Sequence, residues 1–283
     1  VGFTGSVAGG RALFDLAAAR PHPIPFYGEL GSINPLVVTP AAAAERAEDI
    51  GSGLAGSVTL GLGQFCTKPG LAFVPAGPDG DRLVGALAEA ARAVPAGRML
   101  TPAIRDGYLA GAAERARLPG VHPVLERPGE GAPRVLVTTV PDLHDSLLEE
   151  CFGPLVVVVT YTDPAQLHAA LQRLPGSLTA TVHCGHDDEV AEGVAQALAG
   201  RVGRLVFNGY PTGVAVTWAM QHGGPYPSST FAQHTSVGTA AIRRFLRPVT
   251  WQDAPAALLP PALREGNPLR LPRRVDGRLV LPA

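Results

Sequence analysis

Apolar positions along the chain follow two periods, and the two alternate. Val190, Val194 and Leu198 recur every fourth residue across Asp187–Leu198, and Leu83 and Leu87 do the same within Asp81–Val94, so each stretch predicts a helix with one buried stripe. Ile104–Arg117 and Pro164–Leu174 read the same way. Ala41–Ser57 is Ala-rich with charges at Glu45, Arg46, Glu48 and Asp49, and Gly10–Ala19 ends at the breaker run Pro21–Pro25. Between these helices β-branched residues concentrate at Pro35–Val38, Arg134–Thr139, Leu155–Tyr161, Leu178–His183 and Arg204–Phe207, which predicts strands. Strands alternating with helices imply α/β architecture around a mostly parallel sheet. Arg247–Gln252 reads as a further strand, and Asp276-Gly277 as a two-residue hairpin turn between Arg274-Val275 and Arg278–Val280.

The 283 residues are 46% hydrophobic and 17% charged, an ordinary globular balance. A net charge of -1 supplies no electrostatic footprint for nucleic acid. The strongest apolar run, Leu155 to Tyr161, is strand-sized, well short of the roughly 20 residues that cross a bilayer, so no membrane partner is expected. Cys66, Cys151 and Cys184 lie too far apart for a CxxC-type metal site and are odd in number, which argues against a disulfide framework and for a reducing cytoplasm. The start, Val1–Ser6, lacks the pattern of a signal peptide and reads as a strand end entering a turn.

Four segments carry candidate chemistry. Cys66, in Gln64-Phe65-Cys66-Thr67-Lys68-Pro69-Gly70, is flanked by glycines that let a ligand approach the backbone, and Lys68, the only lysine among 23 basic residues, could favour its thiolate. By spacing alone Cys66 suits a nucleophile or a small buried hydrophobe equally well. Glu29 stands in Tyr27–Pro35, where burial would raise its pKa and suit it to general-base work; the plainer reading is a surface carboxylate at a strand end. Glu150, beside Phe152, could accept from a sugar hydroxyl or simply close a solvated helix end. The turn Thr4-Gly5-Ser6 opens a helix, as a phosphate cradle or an ordinary N-cap does.

Phe3-Thr4-Gly5-Ser6, Glu29-Leu30-Gly31-Ser32, Gly63-Gln64-Phe65-Cys66 and Glu150-Cys151-Phe152-Gly153-Pro154 occur in the order that marks the aldehyde dehydrogenase superfamily, which the chain resembles from Val1 almost to its end. Asn208–Gly213 and His222–Pro227 are similar to the 2,5-dioxovalerate (2-oxoglutarate semialdehyde) dehydrogenase branch. Ser32 replaces a second glycine, as is familiar in that branch.

The resemblance implies a catalytic domain over residues 29–246, preceded by the last strand, turn and helix of a Rossmann-like coenzyme domain over 1–28 and followed by an oligomerisation strand and tail over 247–283. It implies Cys66 as nucleophile and Glu29 as the base for hydrolytic water, with Gly5, Ser6, Glu150 and Phe152 on NAD or NADP. Phe65, Asn208, Tyr210, Pro211, His222 and Gly223 would line the substrate funnel. The expected partners are a small-molecule aldehyde and, in the complete enzyme, further copies of the chain; no metal is expected. Two other readings stay open: a coenzyme-independent cysteine esterase and a non-catalytic oligomerising fragment.

Roughly the first half of the family's chain has no counterpart here, including most of the coenzyme domain. The 283 residues alone are therefore expected to give no rise in absorbance at 340 nm with a semialdehyde and NAD⁺ or NADP⁺. Robust turnover would overturn that expectation.

Overall fold

The computed structural model describes residues 1–282, in two compact units, Val1–Arg244 and Phe245–Ala283. The first runs β1 (Gly2–Thr4), α1 (Val7–Ala18), β2 (Tyr27–Glu29), β3 (Pro35–Val38), α2 (Pro40–Thr59), β4 (Leu71–Pro75), α3 (Pro78–Ala93), α4 (Pro102–Ala116), β5 (His122–Leu125), β6 (Arg134–Thr139), β7 (Leu155–Tyr161), α5 (Pro164–Gln172), β8 (Ser177–His183), α6 (Glu189–Ala199) and β9 (Val202–Phe207).

Helix starts follow one chemical rule. Thr39, Thr101 and Asp163 each accept a hydrogen bond from a backbone N–H of the first turn, at Ala42, Ile104 and Gln166, and each is followed by proline. Proline at the first helical position sacrifices no hydrogen bond, because that N–H has no partner within the helix. An apolar stripe does not register such a cap, so the pattern-based starts at Ala41 and Ile104 fall inside the true helices.

Seven strands form one sheet in the order β5-β6-β7-β4-β3-β8-β9. All neighbours are parallel except β5 and β6. Leu36 and Val38 of β3, Ala72 and Val74 of β4, and Val156 and Val158 of β7 pack under α2 and α3. Their alternates Val37, Leu71, Phe73, Val157 and Val159 face α4, α5 and α6. With helices on both faces, Leu155 to Val159 of β7 are all apolar, and no alternation survives in that run. Two strands escape the sequence pattern. β4 follows Pro69-Gly70 directly and merges with the cysteine loop, while β5 contains Pro123, tolerated because β5 lies at the sheet edge.

In the second unit, β10 (Arg273–Val275) and β11 (Arg278–Val280) pair antiparallel. Asp276 and Gly277 turn between them with φ of 49° and 76°, the conformation that an Asp-Gly hairpin supplies. Arg247–Gln252, expected as an oligomerisation strand, pairs with no strand among the described residues. An extended segment becomes a strand only where a neighbour completes its ladder of N–H and C=O groups. No helix of the described residues is long and apolar enough to cross a membrane.

Gly63 joins the cysteine loop to the segment that enters β7. Its φ is 67°, and a Cβ there would lie 2.4 Å from the carbonyl carbon of Gly153. Gly63→Ala is expected to lower stability by about 1–3 kcal/mol, read as a fall in the urea midpoint. An unchanged midpoint would show that these two backbones do not abut.

Candidate active site

Three chain segments meet on one buried amide. Glu29 ends β2, which pairs with β1 and bridges to Ser229. From there the chain reaches β3 through Asn34, 1% exposed and in the left-handed region at φ 51°. Asn34 Nδ2 donates to the carbonyls of Cys66, at 2.8 Å, and Lys68, at 3.0 Å. Its Oδ1 accepts from Ser32 Oγ, at 2.6 Å, and from the Thr179 N–H of β8, at 3.3 Å. One side chain thus sets the carboxylate segment, the cysteine segment and the sheet in register. The cysteine loop begins with Gly61, Leu62 and Gly63, all at positive φ. For Leu62 that conformation is costly and persists only under surrounding constraint.

His222 stands between the two candidate catalytic groups. Its Nε2 lies 3.5 Å from Cys66 Sγ and its Nδ1 lies 2.7 Å from Glu29 Oε2. Glu29 is 6% exposed and His222 3% exposed. An ionised carboxylate can only accept, so Nδ1 carries a proton and Nε2 faces the thiol. Ser236 Oγ donates to the same Glu29 oxygen, and the His222 N–H donates to Thr235 Oγ1. Burial pushes Glu29 up, but the charge and hydrogen bond of His222, with further hydrogen bonds from Ser236 and from Cys66 itself, outweigh it and hold its pKa below the ordinary carboxylate value. This corrects the expectation of a raised Glu29 pKa. Burial pushes His222 down, yet its bonds to Cys66 and Glu29 raise it to about 9.

Lys68 does not serve Cys66. Its Nζ is buried and donates to the carbonyls of Leu155, at 2.9 Å, and Cys151, at 3.2 Å, and burial lowers its pKa. It fastens the cysteine loop to the strand behind it. Glu150 accepts from the Ser32 N–H at 3.3 Å, and burial, opposed by Lys68, raises its pKa to about 7.

A cavity of about 560 Å³ is lined by Gly5, Ser6, Gln64, Cys66, Glu150 and Phe152 among others. Ser6 also caps α1 by accepting from the Gly9 N–H. The structure thus brings five of the sequence-selected residues to one space. Phe65 is 39% exposed. Asn208 accepts from the Cys184 N–H and from Arg46, and the Tyr210 hydroxyl donates to the Ile50 carbonyl of α2. Their polar groups are committed to the scaffold. Pro211 and Gly213 accept from Arg204, whose half-buried guanidinium acts electrostatically on Cys66. Gly223, Glu29, His222 and Ser236 border a second, water-sized space of about 10 Å³. Arg204 and Ser236 carry no local sequence signal, because only the tertiary fold brings them to Cys66 and Glu29.

A strand-turn-helix followed by a parallel sheet, with a loop cysteine and a carboxylate at its head, defines an α/β enzyme scaffold. The chain belongs to the aldehyde dehydrogenase family, which it matches over residues 1–250. It is 45% identical to alpha-ketoglutaric semialdehyde dehydrogenase 2 of Azospirillum brasilense, with 98% of this chain covering 54% of that protein. It is 40% identical to the alpha-ketoglutaric semialdehyde dehydrogenase of Acinetobacter baylyi, with 99% covering 55%. The chain therefore spans about half the length of these relatives. Its fold is similar to that of 1-pyrroline-5-carboxylate dehydrogenase from Thermus with bound NAD, at a TM-score of 0.70 and 22% identity over 87% of this chain and 49% of that one.

The Glu150 environment sets a pH dependence. A carboxyl whose folded pKa is about 7, above the ordinary 4.5, binds its proton more tightly folded than unfolded. Stability therefore falls as pH rises through that window, with a slope approaching about 1.4 kcal/mol per unit from this group. Glu150→Gln is expected to remove that decline, measured as denaturant midpoints on either side of the window; an undiminished decline would assign it to another group.

Proposed function

We propose that the chain is the catalytic half of an NAD(P)-dependent aldehyde dehydrogenase that oxidises a semialdehyde, 2-oxoglutarate semialdehyde, to the acid. The observation that carries this reading is the single cavity shared by Cys66 with Gly5, Ser6, Glu150 and Phe152. The two relatives named as alpha-ketoglutaric semialdehyde dehydrogenases support the substrate.

A nicotinamide dinucleotide suits this set of residues. The N-terminus of α1 at Gly5 and Ser6 suits a pyrophosphate, the Glu150 carboxyl a ribose hydroxyl, and the Phe152 ring a flat heterocycle. When bound, the coenzyme would supply the hydride acceptor. Cys66 adds to the aldehyde carbon to give a thiohemiacetal, and its own backbone N–H helps hold the resulting oxyanion. Loss of hydride leaves a thioester on Cys66, which water then hydrolyses. The half-buried cation of Arg204, within electrostatic reach of Cys66, suits an aldehyde bearing a carboxylate at its far end. Residues 1–28 would close the coenzyme domain, and Phe65 would stand at the mouth of the substrate site.

Coenzyme-independent ester hydrolysis is a second reading, favoured by the imidazole beside the thiol. A chimera tests the first: the N-terminal part of the Azospirillum brasilense relative, joined to Val1, is expected to produce NADH or NADPH and 2-oxoglutarate from the semialdehyde. Cys66→Ala in that chimera is expected to lower kcat at least about 10³-fold. Turnover that survives the substitution would remove Cys66 as nucleophile, and nitrophenyl ester cleavage without any semialdehyde oxidation would favour the hydrolase.

A further inference from the structure

We propose that Cys66, His222 and Glu29 form a binding site for a thiophilic divalent cation, zinc above all, whose occupancy shuts off the chemistry of Cys66. The metal is an inhibitor that takes the place of substrate and has no part in turnover. Binding rests on the three side chains alone; inhibition rests on the reading of Cys66 as the nucleophile.

Geometry carries it. One ligand atom from each of the three residues lies within 4.8 Å of the other two. A tetrahedral zinc, with bonds of about 2.3 Å to sulfur and about 2.0–2.1 Å to nitrogen, holds those two atoms about 3.5 Å apart. Cys66 Sγ and His222 Nε2 already stand 3.5 Å apart.

The ligands are also held from behind. His222 Nδ1 donates to Glu29 Oε2 at 2.7 Å, the kind of support that fixes ring and tautomer in histidine metal sites. Ser236 donates from Oγ to the same carboxylate oxygen and from its N–H to the His222 carbonyl, while Asn34 holds the Cys66 carbonyl. Cys66 lines the cavity of about 560 Å³, which gives the ion an entrance and leaves room for water at a fourth position.

Charge balances. Glu29 takes hydrogen bonds from Cys66 and from His222, so thiol, imidazolium and carboxylate carry two displaceable protons at zero net charge. Zinc bonds to sulfur and to Nε2 as the thiol proton and the Nε2 proton leave to solvent; nothing is oxidised or reduced, and the net charge stays zero. Displacing a proton from an imidazole raised to about 9 lowers the apparent affinity about tenfold at pH 8. Arg204, acting on Cys66 from β9, and Arg244, at the small space beside Glu29, oppose a cation, and Glu150 across the larger cavity favours one. Sulfur and imidazole ligands select zinc or cadmium over magnesium and calcium, which seek oxygen.

The test needs no coenzyme. Zinc chloride is titrated calorimetrically into the metal-free chain at pH 8. One ion per chain is expected, with a Kd on the order of micromolar, and magnesium is expected to give no heat. Cys66→Ala and His222→Gln are each expected to weaken binding at least about 100-fold, and Glu29→Gln about 10–100-fold. Substitutions at the other half-buried thiol and at an exposed imidazole, Cys184→Ser and His186→Ala, are expected to leave it unchanged. Cobalt in place of zinc is expected to show a thiolate charge-transfer band that Cys66→Ala removes, a signature independent of whether His222→Gln folds. Zinc is expected to slow iodoacetamide alkylation of Cys66 at least about tenfold, and a chelator to restore it. A wild-type chain that takes up no zinc, or binding unchanged in both Cys66→Ala and His222→Gln, would overturn the site. A chimera that binds zinc and turns over undiminished would overturn the inhibition. Zinc bound with these dependences in a chimera that never oxidises the semialdehyde would uphold the site and remove only the dehydrogenase reading.

Discussion

The buried amide of Asn34 is the constraint on which the rest of the site depends. Its two donated bonds reach the carbonyls of Cys66 and Lys68, and its oxygen reaches Ser32 and β8. An aspartate in its place would have no donors for those carbonyls, and an apolar residue would leave several buried backbone groups without a partner, each costing about 1–3 kcal/mol. Cys66 sits in a loop that regular structure does not hold. Lys68 supplies the second fastening, through the carbonyls of Cys151 and Leu155. Together they bind the loop to the sheet on one side and to the Glu150 segment on the other.

That arrangement separates the behaviour of two carboxylates. Glu29 and Glu150 are both withdrawn from water, yet their pKa values move in opposite directions. Glu29 meets an imidazole and a hydroxyl that satisfy its charge. Glu150 meets one distant backbone N–H, and the nearby ammonium of Lys68 is spent on carbonyls. Partner identity, more than depth of burial, decides which carboxyl stays ionised.

Much of the scaffold is legible in sequence because parallel α/β units write themselves in alternating periods. The strands Arg134–Thr139 and Leu155–Tyr161 are found at their true ends. β4 is hidden by the Pro-Gly that precedes it, and β5 by its own proline. Arg247–Gln252 has strand composition and no ladder, since composition cannot supply a neighbour. At the site, ordered motifs single out Cys66, Glu29, Glu150 and Phe152. What they cannot express is contact across 193 residues between Glu29 and His222, or the Ser236 hydroxyl between them. A motif marks a residue as chemically able. Only the fold shows that His222 faces a thiol and that Asn208 and Tyr210 are committed to the scaffold.

The central claim is that thiol, imidazole and carboxylate form one connected unit. The most direct measurement is an NMR titration of the His222 ring in the wild-type chain and in Glu29→Gln. A connected unit predicts that the wild-type imidazole stays protonated through neutrality, with a midpoint displaced upward to about 9, and that the variant returns toward about 6.5. A wild-type midpoint at the ordinary histidine value, unmoved by Glu29→Gln, would contradict it.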